Sequence, residues 1–116
     1  MTARILIVDD HPSFRASARV LLEAEGFDVV GEAEDGGSAL ERAAELEPDV
    51  VLLDVQLPDI DGFEVASRLS GNGGPRVVLV SSRDRADYGS KIEESGAAGF
   101  IAKAELCGPV LADLLG

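Results

Sequence analysis

An α/β domain, with one parallel sheet covered by helices on both faces, is the expectation for this chain on three grounds. Five short apolar runs alternate with five helical patterns, with no internal repeat and no long linker between them. The runs are continuously apolar, as strands buried on both faces are, instead of alternating apolar with polar positions. Short right-handed crossovers between successive strands then make the strands parallel. With 116 residues, 46% of them apolar, the chain can build one real core and not two, so 1–116 is expected to be a single domain.

Arg4-Ile-Leu-Ile-Val8 is the first buried-strand run, and it stops at Asp9-Asp10. His11-Pro12-Ser13 opens a helix, with proline at an early position where its missing N–H costs nothing. Phe14, Ala18, Leu21 and Leu22 recur at helical spacing, and Gly26 marks the stop. Asp28 to Ala33 reads as a short strand, Glu34 to Gly37 as a turn, and Ser38 to Leu46 as a helix ended by Pro48. Val50-Val-Leu-Leu-Asp54 is the run around which the chain is organised: it ends abruptly on one carboxylate, followed by Pro58 and Asp61-Gly62. Phe63 to Leu69 is the next helix, Ser70 to Gly74 an exposed loop, and Pro75 to Val80 a fourth strand ending on Ser81-Ser82. Arg83 to Ser95 is the weakest helical pattern, because Gly89 interrupts it and its apolar positions are only Ala86, Tyr88 and Ile92. Ala97 to Ala102 is a fifth strand ending on Lys103. Glu105 to Leu115 is the last helical pattern, with Val110, Leu111, Leu114 and Leu115 as its apolar stripe, and Pro109 moves the start of the helix proper to near Gly108.

Composition excludes several functions. A formal charge of −12, from 22 acids against 10 bases, repels phosphate backbones and anionic membranes, so direct binding of nucleic acid or membrane is not expected. The single Cys107 permits no intrachain disulfide, and no Cys/His cluster suggests zinc. The N-terminal apolar run is too short for a signal-peptide core or a spanning helix, which makes a reducing cytoplasm the expected compartment.

Because parallel strands all point one way, Asp9, Asp10, Asp54, Ser81 and Lys103 gather at one edge of the sheet, the edge where open α/β sheets bind ligands. A lone strand-end aspartate is usually a turn or cap residue. Three acids, a hydroxyl and a lysine converging from four strand ends are a site. Three carboxylates at close quarters repel one another unless a cation sits among them, and hard oxygen ligands suit Mg²⁺. A metal, a lysine and a hydroxyl around one carboxylate describe a phosphoryl site, in which a carboxylate oxygen attacks in line.

Asp9-Asp10, Asp54 with Pro58 and Asp61-Gly62, Ser81 and Lys103 resemble, in order and spacing, the receiver domain of two-component response regulators. The match covers essentially the whole chain. Ile5-Leu-Ile-Val-Asp-Asp-His-Pro12 and Val29-Val-Gly-Glu-Ala33 look most like the LuxR/NarL-type subgroup. The resemblance implies a flavodoxin-like (βα)5 three-layer sandwich with sheet order 2-1-3-4-5. It implies that Asp54 accepts phosphate from a sensor histidine kinase or phosphotransfer protein. Mg²⁺, for which Mn²⁺ can substitute, would be held by Asp10, Asp54 and the backbone carbonyl of Gln56, with Asp9 acting through water. Ser81 would move to the phosphoryl group and Phe100 would turn inward behind it, although an ordinary core ring at Phe100 is as good a reading. Gln56 and Arg83 stand at the positions that tune phosphate lifetime. A domain of this kind catalyses its own phosphorylation and autodephosphorylation and switches a partner, a fused DNA-binding output domain beyond Gly116, or its own homodimerisation.

Two departures from the family pattern stand out. Ala104 follows Lys103 where many receivers have a cis proline, so a trans bond is expected, and Ser82 follows the hydroxyl where alanine or glycine is commoner. His11, a single imidazole ahead of a helix, reads as a turn residue. Rival readings are a receiver-like interaction module that signals without phosphate and a Mg²⁺-dependent phosphohydrolase. The adjacency of Asp9 and Asp10 disfavours the second, since such enzymes carry Asp-x-Asp on the first strand.

Overall fold

The computed structural model describes residues 2–71 and 73–116. Five parallel strands, β1 (Arg4–Val8), β2 (Asp28–Ala33), β3 (Val50–Asp54), β4 (Arg76–Ser81) and β5 (Gly99–Ala102), form one sheet in the order β2-β1-β3-β4-β5. The helices are α1 (Pro12–Ala24), α2 (Gly36–Leu46), α3 (Gly62–Leu69), α4 (Lys91–Glu94) and α5 (Gly108–Leu115). This is the flavodoxin-like arrangement expected from the sequence. The core divides into two layers because strand side chains alternate between faces. Leu6, Val8, Val51, Leu53, Val77 and Leu79 pack toward α2, α3 and Ile92 of α4. Ile5, Ile7, Val50, Leu52, Val78 and Val80 pack toward Ala18 and Leu22 of α1 and Leu111 of α5.

Local chemistry accounts for most of the helix boundaries. Pro12 sits in the first turn of α1 behind an extended His11, and Gly26 leaves that helix at φ +100°. The helix after β2 starts two residues earlier than expected, so Gly36 and Gly37 are helical and not part of the turn. Asp35 caps it reciprocally with Ser38, and Glu47, in the left-handed region at φ 46°, ends it before Pro48. Asp61 caps α3 by accepting the Phe63 N–H at 2.6 Å.

Five further expectations need correction. The pattern over 83–95 is not one helix: it is a 3-10 turn, Arg85–Asp87, then Gly89 at φ +57°, then α4 of only four residues. The left-handed glycine breaks the hydrogen-bond ladder that a continuous helix needs. The fifth strand begins at Gly99, leaving Ala97 and Ala98 in the approach to it, and the fourth runs from Arg76 through Ser81, leaving out Pro75. Leu21 is 42% exposed, because a full turn separates Ala18 from Leu22 and the residue between them on the spiral points away from the sheet. Val110 is 38% exposed, and of the stripe expected on α5 only Leu111 is fully buried. The loop expected over 70–74 contains Asn72, which lies outside the described residues.

There is no cis peptide bond among the described residues, so the Lys103–Ala104 bond is trans as expected. No helix there is long and apolar enough to cross a membrane.

Gly62 shows why the turn after β3 tolerates no side chain. A Cβ there would lie 2.5 Å from the Asp54 carbonyl oxygen and 2.6 Å from the Val55 Cα, both backbone atoms that cannot rotate away. Gly62→Ala should therefore cost about 2–4 kcal/mol in a urea unfolding titration. An unchanged midpoint would mean that this loop is looser than its contacts imply.

Candidate functional site: an acidic pocket at the carboxyl edge of the sheet

Pairing of Val8 with Leu53 puts Asp9, the residue after β1, alongside Asp54 at the end of β3. This is the point where strand order reverses between β1 and its two neighbours, the ligand-binding crevice of open α/β sheets. Both carboxylates are removed from water: Asp9 is 0% and Asp54 3% exposed. Lys103, directly after β5, brings its ammonium 2.6 Å from Asp9 Oδ2 and 3.4 Å from Asp54 Oδ2, and its Nζ stands 4.5 Å from the centre of the Phe14 ring. Asp9 Oδ2 has no hydrogen bond, so the close approach of Lys103 is an ion pair without hydrogen-bond alignment.

Asp9 Oδ1 accepts the His11 N–H at 2.8 Å, and the His11 Nδ1 stands 2.9 Å from it and 3.1 Å from Asp10 Oδ1. Arg15 donates to the Asp9 carbonyl, tying the loop to α1. Asp54 Oδ1 accepts the Gln56 N–H at 3.2 Å. Burial first, and then the facing Asp9 carboxylate, push the Asp54 carboxyl up from its ordinary 3.8 to about 6, against the pull of the Gln56 N–H and Lys103.

One ammonium thus serves both buried carboxylates, while Asp10 meets only the His11 imidazole. The ligand atoms of Asp9, Asp10, His11 and Asp54 all lie within 4.8 Å of one another. A buried carboxylate oxygen without a hydrogen bond and an oxygen-rich donor set fit a hard divalent cation. The arrangement can bind such a cation and present one carboxylate of raised basicity beside a fixed positive charge.

The remaining sequence candidates fall elsewhere. Ser81 is buried on the opposite side of the sheet edge from the acids, because it continues the face of Val77 and Leu79 while Asp54 continues that of Val50 and Leu52. Its Oγ lies 2.6 Å from the Tyr88 hydroxyl and accepts the Arg83 N–H at 3.1 Å. Phe100 is half-buried, its ring 5.9 Å from that of Tyr88. Gln56 and the Arg83 side chain are exposed. His11 does occupy the turn before α1, as its position suggests, but its imidazole also touches both acids.

The description "response regulator receiver domain" matches residues 5–108 of this chain. The chain belongs to the response regulator receiver domain family. Among relatives of this receiver domain, the Bordetella pertussis regulator BvgA is 42% identical over 106 residues, which cover 90% of this chain and 51% of BvgA. The DNA-binding transcriptional activator EvgA of Escherichia coli is 35% identical over 101 residues, 86% of this chain and 50% of EvgA. This receiver domain spans about half the length of the curated relatives it matches. In structure, the signal receiver domain of NarL from Mycobacterium tuberculosis superposes with a TM-score of 0.86 at 38% identity, covering 99% of this chain and 98% of that one. A two-component response regulator of the LuxR family from Aurantimonas superposes at 0.87 and 35% identity, covering 100% and 87%. These likenesses agree with the LuxR/NarL-type resemblance.

Three supporting residues escaped sequence reasoning. Phe14 reads as core, yet it also carries the Lys103 ammonium on its face. Asp59 reads as one acid of an acidic turn, yet it accepts N–H bonds from Gly36 and Gly37 at 2.7 and 2.9 Å, which hold its carboxyl below the usual range and tie the loop after β3 to the start of α2. Tyr88 reads as one apolar position of a weak helix. A helix start beside an acid-rich loop was a faint signal for Asp59; nothing in the sequence pointed to the other two.

The raised Asp54 carboxyl sets a pH dependence. Between about pH 4 and 6 the folded chain holds a proton that the unfolded chain has released, so Asp54 favours folding below its unfolded value and that contribution is lost as pH rises through about 6. In chelator, Asp54→Asn should therefore be more stable than the native chain at pH 7.5 by about 2–3 kcal/mol, the gap closing toward pH 4. Urea midpoints across that range read it, and a gap that does not change with pH would contradict it.

Proposed function

We propose that this receiver domain, taken as one unit over 1–116, is phosphorylated on Asp54 by the phosphohistidine of a sensor kinase or phosphotransfer protein and so switches a partner or output domain. One observation carries the reading: a buried Asp54 of raised basicity, paired with a buried Asp9 across one Lys103 ammonium. An Asp54 oxygen attacks phosphorus, the new O–P bond forms as the donor N–P bond breaks, and the leaving imidazole nitrogen takes the electron pair. Lys103 already stands beside the acceptor carboxylate, from where its ammonium pairs with a phosphoryl oxygen. Attack of water on the same phosphorus returns the carboxylate and inorganic phosphate.

Mg²⁺, or Mn²⁺ in its place, would be held by Asp10, Asp54 and the Gln56 carbonyl, with Asp9 through water, and would supply charge neutralisation for the phosphoryl oxygens. Ser81 then turns toward the phosphoryl group with Phe100 following, and Gln56 and Arg83 border the path of the hydrolytic water. The relatives are about twice as long and one is named DNA-binding, which supports a DNA-binding output domain as the switched element, with homodimerisation as its outcome, in the cytoplasm.

With Mg²⁺ and a small acyl phosphate, the native chain should gain one phosphoryl group by intact mass, and Asp54→Asn none. Equal gain by both would move the acceptor elsewhere. Lys103→Ala should slow the gain about a hundredfold, the scale for losing one fixed donor at developing charge. It should keep Mg²⁺ binding, because it removes a cation that competes for Asp9 and Asp54, and amide shifts in a Mg²⁺ titration read this directly.

A further inference from the structure

Ser81 and Tyr88 make a contact that phosphoryl chemistry at Asp54 does not require. Ser81 Oγ and the Tyr88 hydroxyl are 2.6 Å apart, and the same Oγ accepts the Arg83 N–H. Ser81 is 1% exposed, so its hydroxyl has little water to bond with in place of these partners. The phenol is itself held. Its ring meets Phe63 of α3 edge-on, with centroids 5.4 Å apart, and leans on Phe100 of β5 at 5.9 Å. Tyr88 directly follows the 3-10 turn Arg85–Asp87 and precedes the left-handed Gly89. The segment between β4 and α4 is therefore pinned to the sheet edge through one aromatic residue whose polar end is on Ser81.

We propose that Tyr88 is a positioning residue that latches Ser81: in the unphosphorylated domain its hydroxyl holds the serine hydroxyl on the α3 side of the sheet and competes with the phosphoryl group for it. The proposal rests on the reading of Asp54 as phosphoacceptor. A serine hydroxyl has one proton to donate, and it cannot donate that proton to the phenol and to a phosphoryl oxygen at once. If the phenol is the donor, Ser81 Oγ accepts from both Tyr88 and Arg83, and that geometry holds it on its present face. In either case, turning Ser81 toward Asp54 breaks the 2.6 Å contact, and the phenol loses its partner. The turn Arg85–Asp87 then keeps the ring contacts of Tyr88 with Phe63 and Phe100 and the Arg85–Glu93 ion pair, neither of which reaches Ser81, which makes the latch the link between Ser81 and the β4–α4 segment. Phe100 has no hydroxyl, so this link runs through Tyr88 and not through the β5 aromatic.

Tyr88→Phe tests it, since the ring contacts stay and only the oxygen goes. With Mg²⁺ and an acyl phosphate in excess, the initial rate of phosphoryl gain in Tyr88→Phe should rise about three- to tenfold over the native chain, the worth of one neutral hydrogen bond. In a Ser81→Ala background the same substitution should change the rate less than about twofold, because a latch without its serine has nothing to hold. A purely structural tyrosine would act equally in both backgrounds, and that result, or a slower or unchanged rate in Tyr88→Phe alone, overturns the latch while leaving the phosphoacceptor reading intact. A native chain that gains no phosphoryl group overturns both, and the two failures are told apart by that single control.

Discussion

The ammonium of Lys103 between two buried carboxylates is the contact on which the rest of the arrangement hangs. Burying Asp9 and Asp54 side by side without compensation would cost several kcal/mol per charge. The domain meets that cost with one lysine from the end of the edge strand β5, supported by the Phe14 ring, and with the imidazole of His11 against the acid pair. The compensation is partial. Two buried carboxylates share one ammonium with a third acid beside them, and Asp54, raised first by burial and then by Asp9, holds its proton to about pH 6. The same imbalance makes the pocket receptive to a hard cation. A carboxylate that is costly to ionise in this setting is also a better nucleophile than a solvated one.

Strand parity divides the labour around this pocket. Asp9, Asp54 and Lys103 lie on the side of the sheet edge shared with α1 and α5, where Phe14 supports the lysine. Ser81 and Phe100 lie on the side of α2, α3 and α4, among Tyr88 and Phe63. Charge sits on one face and the groups able to rearrange sit on the other, with the strand ends between them. On the proposed reading, a change of charge at Asp54 reaches the α3–α4 side through a side chain that crosses the edge, and Ser81, buried at the end of β4, is the candidate.

Much of the fold was legible because burial leaves a plain mark. Strands β1 and β3, whose buried runs have no polar interruption before the terminal acids, match their expected bounds. The segment from Arg83 to Ser95 was harder. Its few apolar positions could not say whether Gly89 would be absorbed in a helix or would break it, and the answer came from Tyr88 finding a pocket between Phe63 and Phe100. Leu21 and Val110 show the converse case: apolar residues at plausible helical spacing that the docked helices leave facing outward.

From the sequence alone came the parallel α/β architecture, the edge of the sheet that carries the chemistry, and the residue types gathered there, because continuous apolar runs and strand-end polar residues are local signals that survive any packing detail. Tertiary structure alone decided which of those residues touch. Lys103 reaches Asp9 and Asp54 while Ser81 turns away to Tyr88, since contact across strands depends on register and on which pleat each residue occupies, and one residue's shift would exchange the faces. The neighbours of Phe14, Asp59 and Tyr88 likewise lie far from them along the chain or across the sheet, where pattern along a sequence carries no information about distance in space.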